Sequence, residues 1–398
     1  MVRIFRIFAL VISMTVCISC FLYIGLLRNS KYFGNSPKDQ FKLTSLTSPT
    51  NNSENTTDAP KKLQIKDLPK DRMKSKYRRT KLWERQMTSK DLALRLQKVK
   101  KNYIAMNKYK VDFQGRKNQQ HSPHEILCHL KYRVNMTTLK ESDLPNNTTY
   151  ESQYLPNQDI HEVVGKLRRC AVVSSAGSMR GSRLGQEIDS HDAVLRFNAA
   201  PTEDFESDVG SKTTFRLINS QVITQGEFNF STNPIYKDVI LILWDPAPYT
   251  ADTYQWFTKP EYKFFEPYRE YRRENPEQPF YILKPQTLWQ LWNIIQENSP
   301  EFIHPNPPSS GSIGTLLMMN ICDEVNVYEF LPSWRQTDRC YYFRHYFDSA
   351  CTYGAYHPLL YEKNLIKKLN QGTEENITNN GKVTLPGLRD LPCSPETG

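Results

Sequence analysis

Cys170–Ser178 reads CAVVSSAGS, and this stretch sets the fold. A short apolar, β-branched run passes into small polar residues, the pattern of a buried strand that ends in a tight loop. The segment after it, SRLGQEIDSH (182–191), reads as helix, and DAVLRFN (192–198) returns to strand. Further along, TTFRLINSQ (213–221), VILILWD (239–245), FYILKP (280–285) and VNVYEFLP (325–332) read as four more strands. Continuous apolar strands separated by helical stretches indicate an α/β sheet with substantial parallel character. Ligands on such sheets sit at the carboxyl ends of the strands. That rule puts Ser174–Ser178, Asn198, Asn219 and Asp245 near a site.

Upstream, residues 7–27 (IFALVISMTVCISCFLYIGLL) carry no charge and at about 1.5 Å per residue span roughly 30 Å, the thickness of a bilayer core. A cleaved signal peptide has a shorter apolar core and a small-residue cleavage site. This run is longer and ends in Leu-Leu-Arg, so it is read as a signal-anchor behind a cytosolic tail of residues 1–6. Residues 28–95 are rich in Ser, Thr, Asn, Pro and Lys without a sustained apolar period, and are read as a largely disordered luminal stem. Residues 61–101 carry a net charge of +12 against +10 for the whole chain, so the remainder is near neutral. Nucleic-acid binding is the sharp reading of such a run. Behind a membrane helix, a solvated tether is the better one. From 96 to 398 the chain reads as one globular unit, opening with a helix over 91–106.

Sequons and cysteines agree with an oxidising lumen. Asn51, Asn55, Asn135, Asn146, Asn147, Asn229 and Asn376 each head an N-x-Ser/Thr triplet. Six cysteines follow the anchor: Cys128, Cys170, Cys322, Cys340, Cys351 and Cys393. An even number there suggests three disulfides, of unspecified connectivity. No C-x2-C pair occurs among these six, which argues against zinc.

Three stretches could carry chemistry. SSAGS follows a strand, where small residues let backbone N–H groups approach a phosphate or a sugar, though it is not G-x-G-x-x-G. NPPSSGSIGTLLMMNICDE (306–324) sets Ser309, Ser310 and Gly311 before a helix beginning near Ile313; its free N–H groups and dipole suit an anion, or Ser simply caps a core helix. CYYFRHYFDSACTYGAYHPLLYEKN (340–364) contains His357 and, five residues on, Glu362. A histidine near its ordinary pKa suits deprotonating a hydroxyl, although an isolated one is more often structural. The chain has no D-x-D pair for a divalent metal on a nucleotide diphosphate, no G-x-S-x-G and no H-E-x-x-H, so a metal-independent site is the simpler reading.

Together these blocks resemble the animal sialyltransferases. RCAVVSSAGS (169–178) with IDSHDAVLRFNAAPTEDFESDVGSKTTFRLINSQ (188–221) looks like the family's large motif, and PPSSGSIGTLLMMNICDEVNVYEFLPS (307–333) like the small one. CYYF (340–343) looks like the third motif, and His357 to Glu362 fits the very short H-x4-E motif. NYIAMNKYKV, HPLLYEKNLIKKLNQGT and LPGLRDLPC are similar to the β-galactoside α-2,6 branch of the type 1 kind. The resemblance implies a Rossmann-like, GT-A-variant glycosyltransferase domain with a mostly parallel central sheet flanked by helices. It implies the disulfides Cys128–Cys393, Cys170–Cys322 and Cys340–Cys351.

For function, the resemblance implies inverting transfer of sialic acid from CMP-sialic acid to the 6-hydroxyl of terminal galactose on glycoprotein N-glycans, with no metal or other cofactor. His357 would be the base. Ser175, Asn198, Asn219, Ser309, Ser310, Gly311, Tyr341, Thr352, Tyr356 and Lys363 would serve the donor. Tyr109, Gln221, Glu261 and Arg344 would meet the acceptor, with Tyr356 also expected there. Glu261 and Arg344 depart from the aspartate and glutamine expected of the branch. The implied setting is a Golgi membrane, single-pass type II, with the catalytic domain luminal, a secreted form after stem cleavage and a homodimer as open options, and no nucleic-acid partner. Transfer with another linkage (α-2,3 to galactose or α-2,6 to N-acetylgalactosamine) and a non-catalytic glycan-binding protein are the alternatives.

Overall fold

The computed structural model describes residues 83–84, 86–144 and 153–394. All of them belong to one unit, Ser75–Gly398. The anchor at 7–27, most of the stem and the sequons Asn51, Asn55, Asn146 and Asn147 lie outside the described residues. Among the described residues no helix is long and apolar enough to cross a membrane.

A seven-stranded sheet runs through the centre in the order β5-β4-β3-β2-β1-β6-β7. Its strands are β1 (Leu167–Val173), β2 (Ala193–Phe197), β3 (Phe215–Asn219), β4 (Ile240–Trp244), β5 (Phe280–Ile282), β6 (Cys322–Tyr328) and β7 (Lys382–Pro386). The first six are parallel and β7 is antiparallel to β6. β2 is buried at every position and β4 at all but its first, which is why both read as unbroken apolar runs. The segment 182–191 forms only a short helix, Gly185–Asp189. Strand β7 was not foreseen: KVTLP is a short edge strand with alternating burial and polar neighbours.

The longer helices are α1 (Leu94–Met106), α2 (Pro123–Arg133), α3 (Phe265–Glu274), α4 (Gln286–Glu297), α5 (Ser310–Ile321) and α6 (Leu359–Leu369). Apolar side chains of α2, α4, α5 and α6 fill one core against β1, β2 and β6, while Tyr268 and Tyr271 of α3 fill a second against β4 and β5. Helix α5 begins three residues earlier than the expected Ile313, because the Ser309 side chain accepts the Ser312 N–H as its N-cap. Met87 and Leu92 are buried in the first core, so the packed chain includes residues ahead of α1.

Three disulfides brace the unit: Cys128–Cys393, Cys170–Cys322 and Cys340–Cys351. They are the pairings implied by the family resemblance. The second ties β1 to β6, and the strand order reverses at that pair: β2 to β5 lie on one side of β1, β6 and β7 on the other. A crevice at such a switch point is where an open α/β sheet takes its ligand. Asn135 and Asn229 are exposed and Asn376 is half-buried.

Candidate active site

A cleft of about 250 Å³ opens at the carboxyl ends of β1, β2 and β6. From the loop after β1 come Ser174, Ser175 and Gly177; from β2, Phe197 and Asn198. Asn198 takes a left-handed backbone (φ 46°), which Asn tolerates better than most residues. The turn is held twice. Asn198 Oδ1 accepts the Asn219 N–H at 3.1 Å, and the buried Arg216 guanidinium donates to Asn198 O at 2.8 Å and Ala200 O at 3.0 Å. Asn219 itself is not in the cleft wall, and its buried Oδ1 has no partner among the described residues.

Ser309, Ser310 and Gly311 enter at the N-terminus of α5. Ser309 is spent internally: its N–H donates to Glu362 Oε1 at 2.8 Å and its hydroxyl to Glu362 Oε2. Ser312 Oγ donates to the same Oε2 at 2.7 Å. Ser310 Oγ accepts the Trp244 indole N–H at 3.0 Å, which leaves its own hydroxyl hydrogen available. The N–H groups of Ser310 and Gly311 are orphan first-turn donors on the positive end of the helix dipole.

His357 sits between the Pro307 carbonyl and the cleft. Its Nδ1 lies 2.8 Å from Pro307 O, a contact only an N–H can make with a carbonyl, so Nδ1 carries the hydrogen and Nε2 is an acceptor in the neutral ring. Burial pushes its pKa below the ordinary 6.5, with the Glu362 charge opposing. Lys363, only 5 % exposed, lines the same cleft, and its ammonium makes no hydrogen bond or ion pair among the described residues. Burial brings its pKa down to about 7, with Glu329 and Glu362 pulling the other way.

The far wall is the loop closed by Cys340–Cys351. It contributes Tyr341, and the residues that flank it contribute Arg339 and Thr352. Gly177 packs so closely on this loop that a Cβ there would lie 2.3 Å from Arg339 O. Arg339 Nε donates to Tyr341 O at 3.0 Å, and Tyr342 N donates to Ser175 O at 3.2 Å.

The structure therefore gathers Ser175, Asn198, Ser309–Gly311, Tyr341, Thr352, His357 and Lys363 around one cleft. Tyr109, Gln221, Glu261, Arg344 and Tyr356 are not part of it. Tyr356 forms a bridge to them, because its ring is 4.9 Å from that of His357 and its hydroxyl is 2.6 Å from that of Tyr109. Glu261 forms an ion pair with Lys108, and Gln221 Nε2 donates to Tyr262 Oη at 2.6 Å. Arg344 stacks on Phe343 in the disulfide loop.

Sequence reasoning missed Arg339, Glu329, Gln336 and Thr337, all in the cleft wall. It also missed the task of Glu362. Glu329 had one signal, a glutamate set inside an apolar strand end (VYEFLP). It is 2 % exposed and forms an ion pair with Arg335 at 2.7 Å. Among the described residues the only cluster with metal-ligand spacing is His124, Cys128 and Cys393. Both its thiols are consumed in a disulfide, so this donor set does not suit a metal.

A family model described as Glycosyltransferase family 29 (sialyltransferase) matches residues 113–373, which contain β1 to β6, α6 and every wall of the cleft. The chain is 55 % identical over 313 residues to human "Beta-galactoside alpha-2,6-sialyltransferase 1", covering 78 % of this chain and 77 % of the relative. It is 51 % identical over 360 residues to the mouse protein of the same name, covering 90 % and 89 %. To "Beta-galactoside alpha-2,6-sialyltransferase 2" of Xenopus tropicalis it is 53 % identical, covering 79 % and 61 %. A solved structure described as "Crystal Structure of a Mammalian Sialyltransferase" superposes with a TM-score of 0.41 at 22 % identity, over 66 % of this chain and 85 % of that one. With the family model lying across the whole cleft and identity above one half to two curated relatives over most of both chains, this chain belongs to glycosyltransferase family 29 and is a sialyltransferase.

Proposed function

We propose that the protein transfers sialic acid from CMP-sialic acid to the 6-hydroxyl of terminal β-galactose on glycoprotein N-glycans, with inversion and without a metal. The names of the human and mouse relatives support the linkage and the acceptor sugar. The observation that carries the mechanism is the His357 tautomer: a ring whose Nδ1–H is held by Pro307 O offers Nε2 as a base at the cleft.

In the reaction, galactose O6 bonds to the anomeric carbon of sialic acid as the bond to the CMP phosphate oxygen breaks. The hydroxyl proton goes to His357 Nε2, and the bonding electrons leave with CMP. A phosphate monoester leaves as an anion, so it calls for donors rather than a strong acid. Ser310 and Gly311 supply first-turn N–H groups, and Arg339 supplies a cation at the opposite wall. Lys363 meets the sialic carboxylate, and Ser175, Asn198, Tyr341 and Thr352 line the nucleotide side. Ser309 serves by holding the α5 terminus through Glu362 rather than by donating to the ligand. Asn219 acts through the Asn198 turn. Tyr109, Gln221, Tyr356, Glu261 and Arg344 form the acceptor side.

The setting that fits is a Golgi membrane with the catalytic domain luminal. Exposed sequons at Asn135 and Asn229 and three disulfides support exposure to an oxidising compartment. The test is transfer from CMP-sialic acid to N-acetyllactosamine with linkage analysis, with and without EDTA. An α-2,6 product formed at an unchanged rate in EDTA is expected. An α-2,3 product would replace the linkage, and strong inhibition by EDTA would overturn the metal-free mechanism.

A further inference from the structure

Asp245 follows β4 and is completely buried, yet among the described residues no cation pairs with it. Its carboxylate is met instead by three neutral donors, one from the Ser220 turn and two from the stretch 256–261. Ser220 Oγ donates to Oδ1; the Trp256 indole N–H donates to Oδ2 at 3.0 Å and the Glu261 backbone N–H to the same oxygen at 2.9 Å. Burial drives its pKa up to about 6, with the three hydrogen bonds opposing.

The identity of those donors gives the group its meaning. Ser220 directly precedes Gln221, and Glu261 precedes Tyr262, whose hydroxyl accepts from Gln221 Nε2 at 2.6 Å. One carboxylate thus fixes both ends of the Gln221–Tyr262 contact. On its other flank, Trp244 donates to Ser310 Oγ and lies 6.3 Å from the His357 ring, so the same strand end also reaches the donor cleft.

We propose that Asp245 is a positioning residue that sets the acceptor side of the site, holding the Gln221 and Glu261 segments at a fixed distance from His357 without touching either substrate. The proposal rests on the functional reading above, in which those segments meet the acceptor glycan. A neutral buried residue of the same shape would fill the space. Only a carboxylate takes all three donors on two oxygens, because an amide replaces one oxygen with a donor. Loss of one such contact leaves a buried N–H or hydroxyl facing another donor, which the segments relieve by moving apart.

The test is steady-state kinetics of the full-length protein in detergent with both substrates varied. Asp245→Asn is expected to raise the acceptor KM about tenfold while the CMP-sialic acid KM stays within about twofold. Ser220→Ala, which removes one donor and leaves the fold, is expected to raise the acceptor KM about threefold in the same selective manner, and it decides the matter if Asp245→Asn does not fold. Equal rises in both KM values, or an unchanged acceptor KM in an active variant with lowered melting temperature, would overturn the proposal and leave Asp245 a structural residue. A wild-type protein that transfers nothing to galactose would overturn the functional reading and this inference with it.

Discussion

Glu362 engages both donors of Ser309, its backbone N–H at 2.8 Å and its hydroxyl, and so fixes the start of α5 to the first turn of α6. His357 lies just before α6 and Ser310–Gly311 just inside α5. The distance between the proposed base and the proposed anion site is therefore set by this carboxylate together with the His357–Pro307 contact.

Glu362→Gln keeps the shape but offers only one acceptor oxygen to three donors. The expected loss is about 2 kcal/mol of stability, as for a charged hydrogen bond inside a protein. Affinity for CMP should fall about tenfold, because the first-turn N–H groups lose their fixed direction. Calorimetric titration with CMP checks this. A variant that bound CMP as the parent does would show that α5 is held by other means.

The pH dependence follows from the two shifted groups in the cleft. His357 must be neutral to accept a proton, and burial lowers its pKa below 6.5, so activity persists into mildly acidic pH and is lost below that. Lys363 must be charged to meet a carboxylate; with its pKa brought down to about 7, it loses the proton as pH rises through neutrality. A plot of kcat/KM for the donor against pH should be bell-shaped, with its alkaline limb near 7. Lys363→Arg stays charged and should move that limb upward by more than a unit. His357→Ala should abolish transfer while leaving CMP binding within about tenfold.

How far the site was legible depended on what each residue needed from its neighbours. The strands were legible because burial on both faces leaves unbroken apolar runs, as in VILILWD. His357, Ser310 and Gly311 belong to local motifs and could be picked out in advance. Glu362 stood in a motif, but its task depends on Ser309, 53 residues away, and no local pattern encodes that pairing. Asp245 could be placed at a strand end, yet its three donors lie 11 to 25 residues away and no local pattern names them. The alternating edge strand β7 escaped notice because Lys382 and Thr384 lie on its half-exposed side.

Gly177 tests the contact between the β1 loop and the disulfide loop. A methyl group at this position would lie 2.3 Å from Arg339 O, and backbone cannot yield there without moving Tyr342 away from Ser175 O. Gly177→Ala should cost about 1–3 kcal/mol, as overpacking usually does, and weaken CMP binding about tenfold. Thermal melting with and without CMP separates the two effects. A smaller CMP-induced rise in melting temperature than in the parent is the expected sign.

Lys100 and Glu301 carry the prediction for the chain ahead of α1. Lys100 is 5 % exposed; its ammonium lies 2.9 Å from Glu301 Oε2 and 2.6 Å from the Tyr361 hydroxyl of α6. Glu301 also accepts the Ser89 N–H at 2.6 Å and the Tyr361 hydroxyl at 2.7 Å. Burial opposes its charge, yet the hydrogen bonds from Ser89, Lys100 and Tyr361 hold its pKa down at about 2. Residues 87–92 are tied by this network to the helix that follows His357, and Asn364 adds a bond to Met87 O at 3.0 Å. Glu301→Ala strands a buried ammonium and should cost about 3 kcal/mol. Lys100→Met with Glu301→Leu should recover most of that loss, because an apolar pair removes the desolvation cost along with the attraction. Ser89→Ala keeps the ion pair and should cost only about 1 kcal/mol. Urea unfolding of the four proteins checks the order, and a double variant no more stable than Glu301→Ala would show that the ion pair itself holds the segment in place.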